Sequence, residues 1–158
     1  MEINTYGISN IYIEELLRPL TTKFIGVFSA NNLPKNLIGK KHFSLICNHD
    51  NIGEAGSHFI SIFHYGFFLL YIDSFGQPCA IDDIQNFLLS FQLPVFYNSR
   101  QVQSINSSFC GFFCILFVLY FDRLFNFAVF PSKLFFNSVN LSVNDMLCID
   151  HILKLLKA

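Results

Sequence analysis

Residues Gln103-Ser-Ile-Asn-Ser-Ser-Phe-Cys110-Gly-Phe-Phe-Cys114-Ile-Leu-Phe-Val-Leu-Tyr-Phe121 run from a polar loop into 13 uncharged residues, Phe109 to Phe121. That run falls short of the roughly 20 apolar residues that cross a bilayer. It predicts a buried core helix that starts near Ser108 or Phe109, with Cys110 in its first turn and the Ser107-Ser108 pair available as a cap.

The chain around this helix reads as continuous α/β, without repeat, low-complexity tract or linker. Ser9 predicts a cap for a first helix that carries apolar Ile11, Ile13, Leu16 and Leu17 through Arg18 and stops at Pro19. Runs rich in β-branched and aromatic residues predict strands at Phe24–Phe28, Phe43–Cys47, Phe59–His64 and Phe67–Ile72. Tyr65-Gly66 makes the last two a hairpin. Asp82-Asp83 suits the start of a helix over Ile81–Phe91, where carboxylates meet the positive end of the dipole. A short strand at Val95–Tyr97 precedes the Gln-containing loop. Val143–Lys157 predicts an amphipathic helix, with Met146, Ile149, Ile152, Leu153 and Leu156 at helical spacing, packed outside the core.

At 158 residues the chain fits one domain, 1–158, able to bury roughly two-thirds of its unfolded surface. Hydrophobic residues are 53% and charged ones 13%, with 21 Phe and no Trp, against about a quarter charged in ordinary soluble proteins. An unusually apolar surface is expected, suited to work against a partner or in an assembly; a coding bias toward Phe, Ile and Asn gives the same composition. The formal net charge of -1 gives no pull toward nucleic acid. No basic segment followed by an apolar block opens the chain, so an intracellular, reducing setting is expected.

Cys47, Cys79, Cys110, Cys114 and Cys148 are odd in number and irregular in spacing, so free thiols are expected rather than a disulfide framework. Cys47-x-His49 and Cys110-x3-Cys114 lack the second pair that a structural zinc site wants, so no metal is expected.

Four residues make a candidate site. Cys110, at a helix start, can act as a thiolate nucleophile, and Gly111 leaves no side chain to crowd an approaching peptide. His58 stands where a predicted strand begins, after the turn-like Gly53-Glu-Ala-Gly56-Ser. Asp73 ends the next strand, so antiparallel pairing puts its carboxylate beside His58, ready to accept the Nδ1 proton. It serves equally as a cap for the turn through Ser74-Phe75-Gly76. Gln103 can aim its amide at a developing oxyanion together with the Cys110 N–H, and Gln101 is not separable from it by position. His42, His49, His64 and His151 lack a comparable Cys and acid context.

In the order His, Asp, Gln, Cys, these residues resemble the adenovirus-type cysteine endopeptidases (adenain), of the clan that holds the SUMO-deconjugating proteases. Phe24-Ile-Gly-Val-Phe, Lys41-His-Phe-Ser-Leu-Ile-Cys, Gly56-Ser-His58-Phe, Phe75-Gly76 and Val102-Gln103 through Cys114 follow the family's block order over roughly residues 20 to 120. The resemblance implies an α+β fold, a central mostly antiparallel sheet flanked by helices, papain-like in active-site logic. It implies His58 as base, Asp73 as its partner, Cys110 as nucleophile and Gln103, by its distance from Cys110, as oxyanion donor, with no metal or organic cofactor. Phe59 stands where the family usually has Trp, and Asp73 where adenovirus enzymes have Glu and the SUMO branch Asp. The implied role is a thiol protease of viral maturation that cleaves capsid and core precursors, in the virion and in the host cytoplasm or viral factory, and the small size and Asn/Phe/Ile-rich composition suit the compact Maverick/Polinton or virophage form. An activating peptide or DNA, partners of the adenovirus enzymes, is left open, because no thiol stands at the corresponding position and basic residues are not in excess. No membrane partner is expected. Deconjugation of a ubiquitin-like modifier, and a non-catalytic particle-associated scaffold, are the alternatives.

Overall fold

The protein is seen in a computed structural model that describes residues 7–37, 39–54, 57–124 and 136–158. Five strands, β1 (Phe24–Ser29), β2 (Phe43–Asn48), β3 (Phe59–His64), β4 (Leu69–Ile72) and β5 (Val95–Tyr97), lie side by side in chain order. Four helices, α1 (Asn10–Leu17), α2 (Asp82–Leu89), α3 (Cys110–Leu124) and α4 (Asn144–Lys157), flank them. The fold is α+β, as expected. The sheet, however, is mixed rather than mostly antiparallel. The β2–β3 and β3–β4 pairings are antiparallel, while β1–β2 and β4–β5 are parallel. The chain recrosses the sheet through residues 30–42 and again through α2 before it pairs, and such crossovers make parallel neighbours.

Every residue of β2, β3 and β4 is buried, because both faces of the sheet are covered. The two-residue period of a strand divides them between two cores. Phe59 and Phe63 point with Ile46 and Ile72 toward α1, α3 and α4, whereas Ile60 and Ile62 join Leu45 and Tyr71 against Ile84 and Leu88 of α2. Helix α3 is the hub of the first core, with Phe113, Ile115, Leu116, Phe117, Leu119 and Phe121 shut from solvent. Among the described residues no helix is long and apolar enough to cross a membrane. The surface nevertheless exposes Ile105, Val139, Phe67 and Ile11.

Local chemistry sets the boundaries. Ser9 caps α1, its Oγ accepting from Tyr12 N at 3.2 Å. Asp82 and Asp83 occupy the first turn of α2. The Asp122 carboxylate accepts from the backbone N–H of Thr22 and Lys23, both at 2.9 Å, and so pins the entry to β1 against the far end of α3. The predicted turn before His58 is described only in part, since Ala55 and Gly56 lie outside the described residues.

The registers bring three strand ends together. Asn48 pairs with Phe59 and Ser61 with Ile72, so β2 ends, β3 begins and β4 ends at the same rim of the sheet. The residues just past those ends, His49, His58 and Asp73, are therefore neighbours.

Candidate active site

At that rim His58 Nε2 donates to Asp73 Oδ1 at 2.8 Å. The hairpin places the pair as its register requires, but through the opposite ring nitrogen: Nε2, not Nδ1, meets the carboxylate. Nδ1 is buried without a completed hydrogen bond. The Cys110 thiol acts on the same ring through hydrogen bonding and charge, and with Nε2 committed to Asp73 it does so from the Nδ1 side. The contact falls short of a completed hydrogen bond. Burial would lower the His58 pKa; the hydrogen bonds to Asp73 and Cys110 and their charges outweigh it and raise it to about 9. Phe75 stacks on the ring, centroids 4.8 Å apart at 27°.

Asp73 is fixed by a lacing of two segments. Its Oδ1 also accepts from Phe75 N at 2.8 Å. Its own N–H donates to Asn98 Oδ1 at 2.8 Å, and Asn98 Nδ2 returns to the Asp73 carbonyl at 2.7 Å. Ser74 O receives the N–H groups of both Val102 and Gln103. Asp73 thus does both jobs that its sequence position allowed: partner of His58 and cap of the turn. Gly76 makes the lacing possible. At φ +69° it sits so close to the second segment that a Cβ would lie 2.8 Å from Arg100 C and Gln101 N.

Gln103 is fully buried. Ser74 Oγ donates to its Oε1 at 2.5 Å, which turns the amide nitrogen toward the helix start, where Nε2 donates to Ser107 O at 2.8 Å and Ser107 Oγ at 3.3 Å. The amide is thus oriented toward the Cys110 end but engaged within its own loop. Gln101 is separated from it: its Nε2 donates to Gln103 O at 2.8 Å, and it stands outside the cleft. Asn144, the first residue of α4, is buried and donates from Nδ2 to Val102 O at 2.7 Å. The Asp145 carboxylate hydrogen-bonds Ser107.

Cys110 is the first residue of α3, behind the Ser107 Oγ that accepts from Phe109 N at 3.2 Å. His58, Phe59, Phe75, Gln103 and Cys110 share a cleft of about 370 Å³. Gly111 lines the same cleft. A Cβ there would lie 2.7 Å from Ile8 Cγ1, so its bareness also admits the N-terminal segment, which walls the cleft. All five cysteines are free. Burial pushes the Cys47 thiol up to about 12 and those of Cys114 and Cys148 well up, and Cys79 is also raised by burial. Among the described residues no cluster of three or more His, Cys, Asp or Glu side chains is placed to hold a metal ion.

No protein-family model matches this chain, and no curated protein does. Among solved structures, it is similar to the central domain of the uncharacterized Lpg1148 protein from Legionella pneumophila, with a TM-score of 0.54 and 12% identity over 96% of this chain and 97% of that one. At that identity the likeness bears on the fold alone.

Two contributors carry no signal of function in the sequence. Asn98 and Ser74 sit in what read as plain loop, and their partners, 25 and 29 residues away, emerge only from the fold. His49 does have a signal: extending the β2–β3 register one step past Asn48 and Phe59 sets it opposite His58, and His49 N donates to His58 O at 2.9 Å.

Proposed function

We propose that the chain is a cysteine endopeptidase with Cys110 as nucleophile, His58 as base and acid, and Asp73 as the group that orients it. The observation that supports this best is the ordered His58–Asp73 pair, whose free nitrogen faces a thiol at the mouth of a cleft and at the start of a helix. With its pKa near 9, His58 is a cation at neutral pH and favours a neighbouring thiolate. The thiolate attacks the scissile carbonyl. His58 Nδ1–H then protonates the departing amine, and the neutral ring draws a proton from water to release the acyl group. The Cys110 N–H is one donor for the oxyanion; Gln103 Nε2 is the second once it turns from Ser107 toward substrate.

The resemblance to the adenovirus-type enzymes supports the narrower assignment, cleavage of capsid and core precursors during maturation of a viral particle. No metal or organic cofactor enters these steps.

The test is alkylation of the native chain by iodoacetamide across pH, read cysteine by cysteine by mass spectrometry, beside incubation with a diverse peptide mixture. Fast, selective labelling of Cys110 that is lost in His58→Ala, with peptide cleavage lost in Cys110→Ala, is the expected result. Equal slow labelling in both chains would end the peptidase reading. Cleavage confined to a folded modifier with a Gly-Gly tail would transfer the activity to deconjugation.

A further inference from the structure

His49 is the second imidazole at the rim, and the steps above leave it without a role. Its ring meets that of His58 edge-on, centroids 5.0 Å apart at 80°. Its backbone N–H holds the His58 carbonyl at 2.9 Å, and its Nε2 is 3.2 Å from the Tyr71 hydroxyl. Tyr71 is itself fully shut from solvent and also hydrogen-bonds Cys79, so the His49 ring is tied to a fixed point in the second core. The His58 ring is thereby bounded on three sides: Asp73 at Nε2, Phe75 against its face, and His49 edge-to-ring. The fourth side is Nδ1, toward Cys110.

We propose that His49, anchored by Tyr71, is a positioning residue for His58: neutral, it braces the ring so that Nδ1 faces the Cys110 thiol, and protonated, it becomes a cation against the His58 imidazolium and weakens that alignment. This rests on Cys110 and His58 working as a pair. The groups that face His49 are His58 at the start of β3, Tyr71 and Asp73 on and just past β4, and Asp50 on its own exit from β2. Burial, and then the His58 charge, hold its protonation below the ordinary histidine range, against the opposing pull of Asp73 and Asp50. The brace is therefore neutral at neutral pH and fails only in acid. A cation and a neutral ring in T-shaped contact attract weakly, whereas two cations at that separation repel.

The experiment is an NMR titration of the histidine ring signals in the full chain, with Cys110 alkylation followed over the same pH range. In the native chain the His58 signals are expected to show a second, smaller step below pH ~6.5, the reference histidine value, as His49 titrates, and the labelling rate should fall with that step. In His49→Gln, whose amide keeps a polar partner for Tyr71 but cannot ionise, both should vanish while the thermal midpoint holds. Tyr71→Phe, which unties the ring, should keep the step but reduce the ring-current shift that His49 imposes on His58. A single His58 step in the native chain, identical to that of His49→Gln, overturns the proposal. Because the ring signals are read directly, failure of the peptidase reading would show separately, as Cys110 labelling indifferent to His58→Ala.

Discussion

The two halves of the candidate site are built by opposite rules. On the acid and amide side, turn 73–76 and segment 98–103 are laced by backbone and side-chain hydrogen bonds until the Asp73 backbone, its Oδ1 and both ends of the Gln103 amide are all paired. On the thiol and imidazole side, one buried ring nitrogen is left without a completed bond. A buried polar atom without a completed hydrogen bond costs about 1–3 kcal/mol, and His58 Nδ1, the atom through which the proposed mechanism moves a proton, carries that cost. Hydrogen bonding is dense around Asp73 and Gln103 and sparse around His58 Nδ1.

The largest break in that contrast is expected from Gly76→Ala. The added carbon meets backbone rather than a yielding side chain, at a positive φ, so turn and segment must part. A loss of at least about 2 kcal/mol in urea unfolding is expected, together with loss of selective Cys110 labelling. Asn98→Ala attacks the same lacing more gently. It strips the Asp73 N–H of its partner while Gly76 N still serves the Asp73 carbonyl, so about 1–3 kcal/mol is expected by the same measurement.

Asp73→Asn sharpens the contrast through pH. The His58 pKa is raised in the folded chain from 6.5 to about 9. The folded state therefore holds a proton that the unfolded state gives up, and stability is full below pH 6.5 and falls as pH rises through 9. Chemical denaturation at a series of pH values should show that decline in the native chain and a much smaller one in Asp73→Asn. Phe75→Leu should have the smallest effect, about 0.5–1.5 kcal/mol of lost ring stacking, with Cys110 labelling retained.

The part of the site that follows from strand periodicity could be read from residues alone. Phe59–His64 matches its predicted strand at both ends, because alternating Phe and Ile with a Tyr-Gly turn specify one hairpin, and that hairpin by itself joins His58 to Asp73. The start of α3 at Cys110 likewise follows from an uninterrupted apolar run behind two serines. What depends on distant closure could not be read. The parallel outer pairings arise from crossovers, whose direction no local pattern encodes. Which imidazole nitrogen meets Asp73 depends on the orientation the ring takes in the folded site, and the close approach of Ile8 to Gly111 joins residues far apart in the chain.

Asn144 ties distant parts of the chain together. The loop that carries Gln103 and Ser107 receives its buried fastening at Val102 from the first residue of the last helix, 42 residues further on. The loop is thus held from two directions, by the turn after β4 that precedes it and by the helix that follows it. If the site cuts peptides, a change at Asn144 in α4 reaches the Gln103 loop without touching any of the reacting groups.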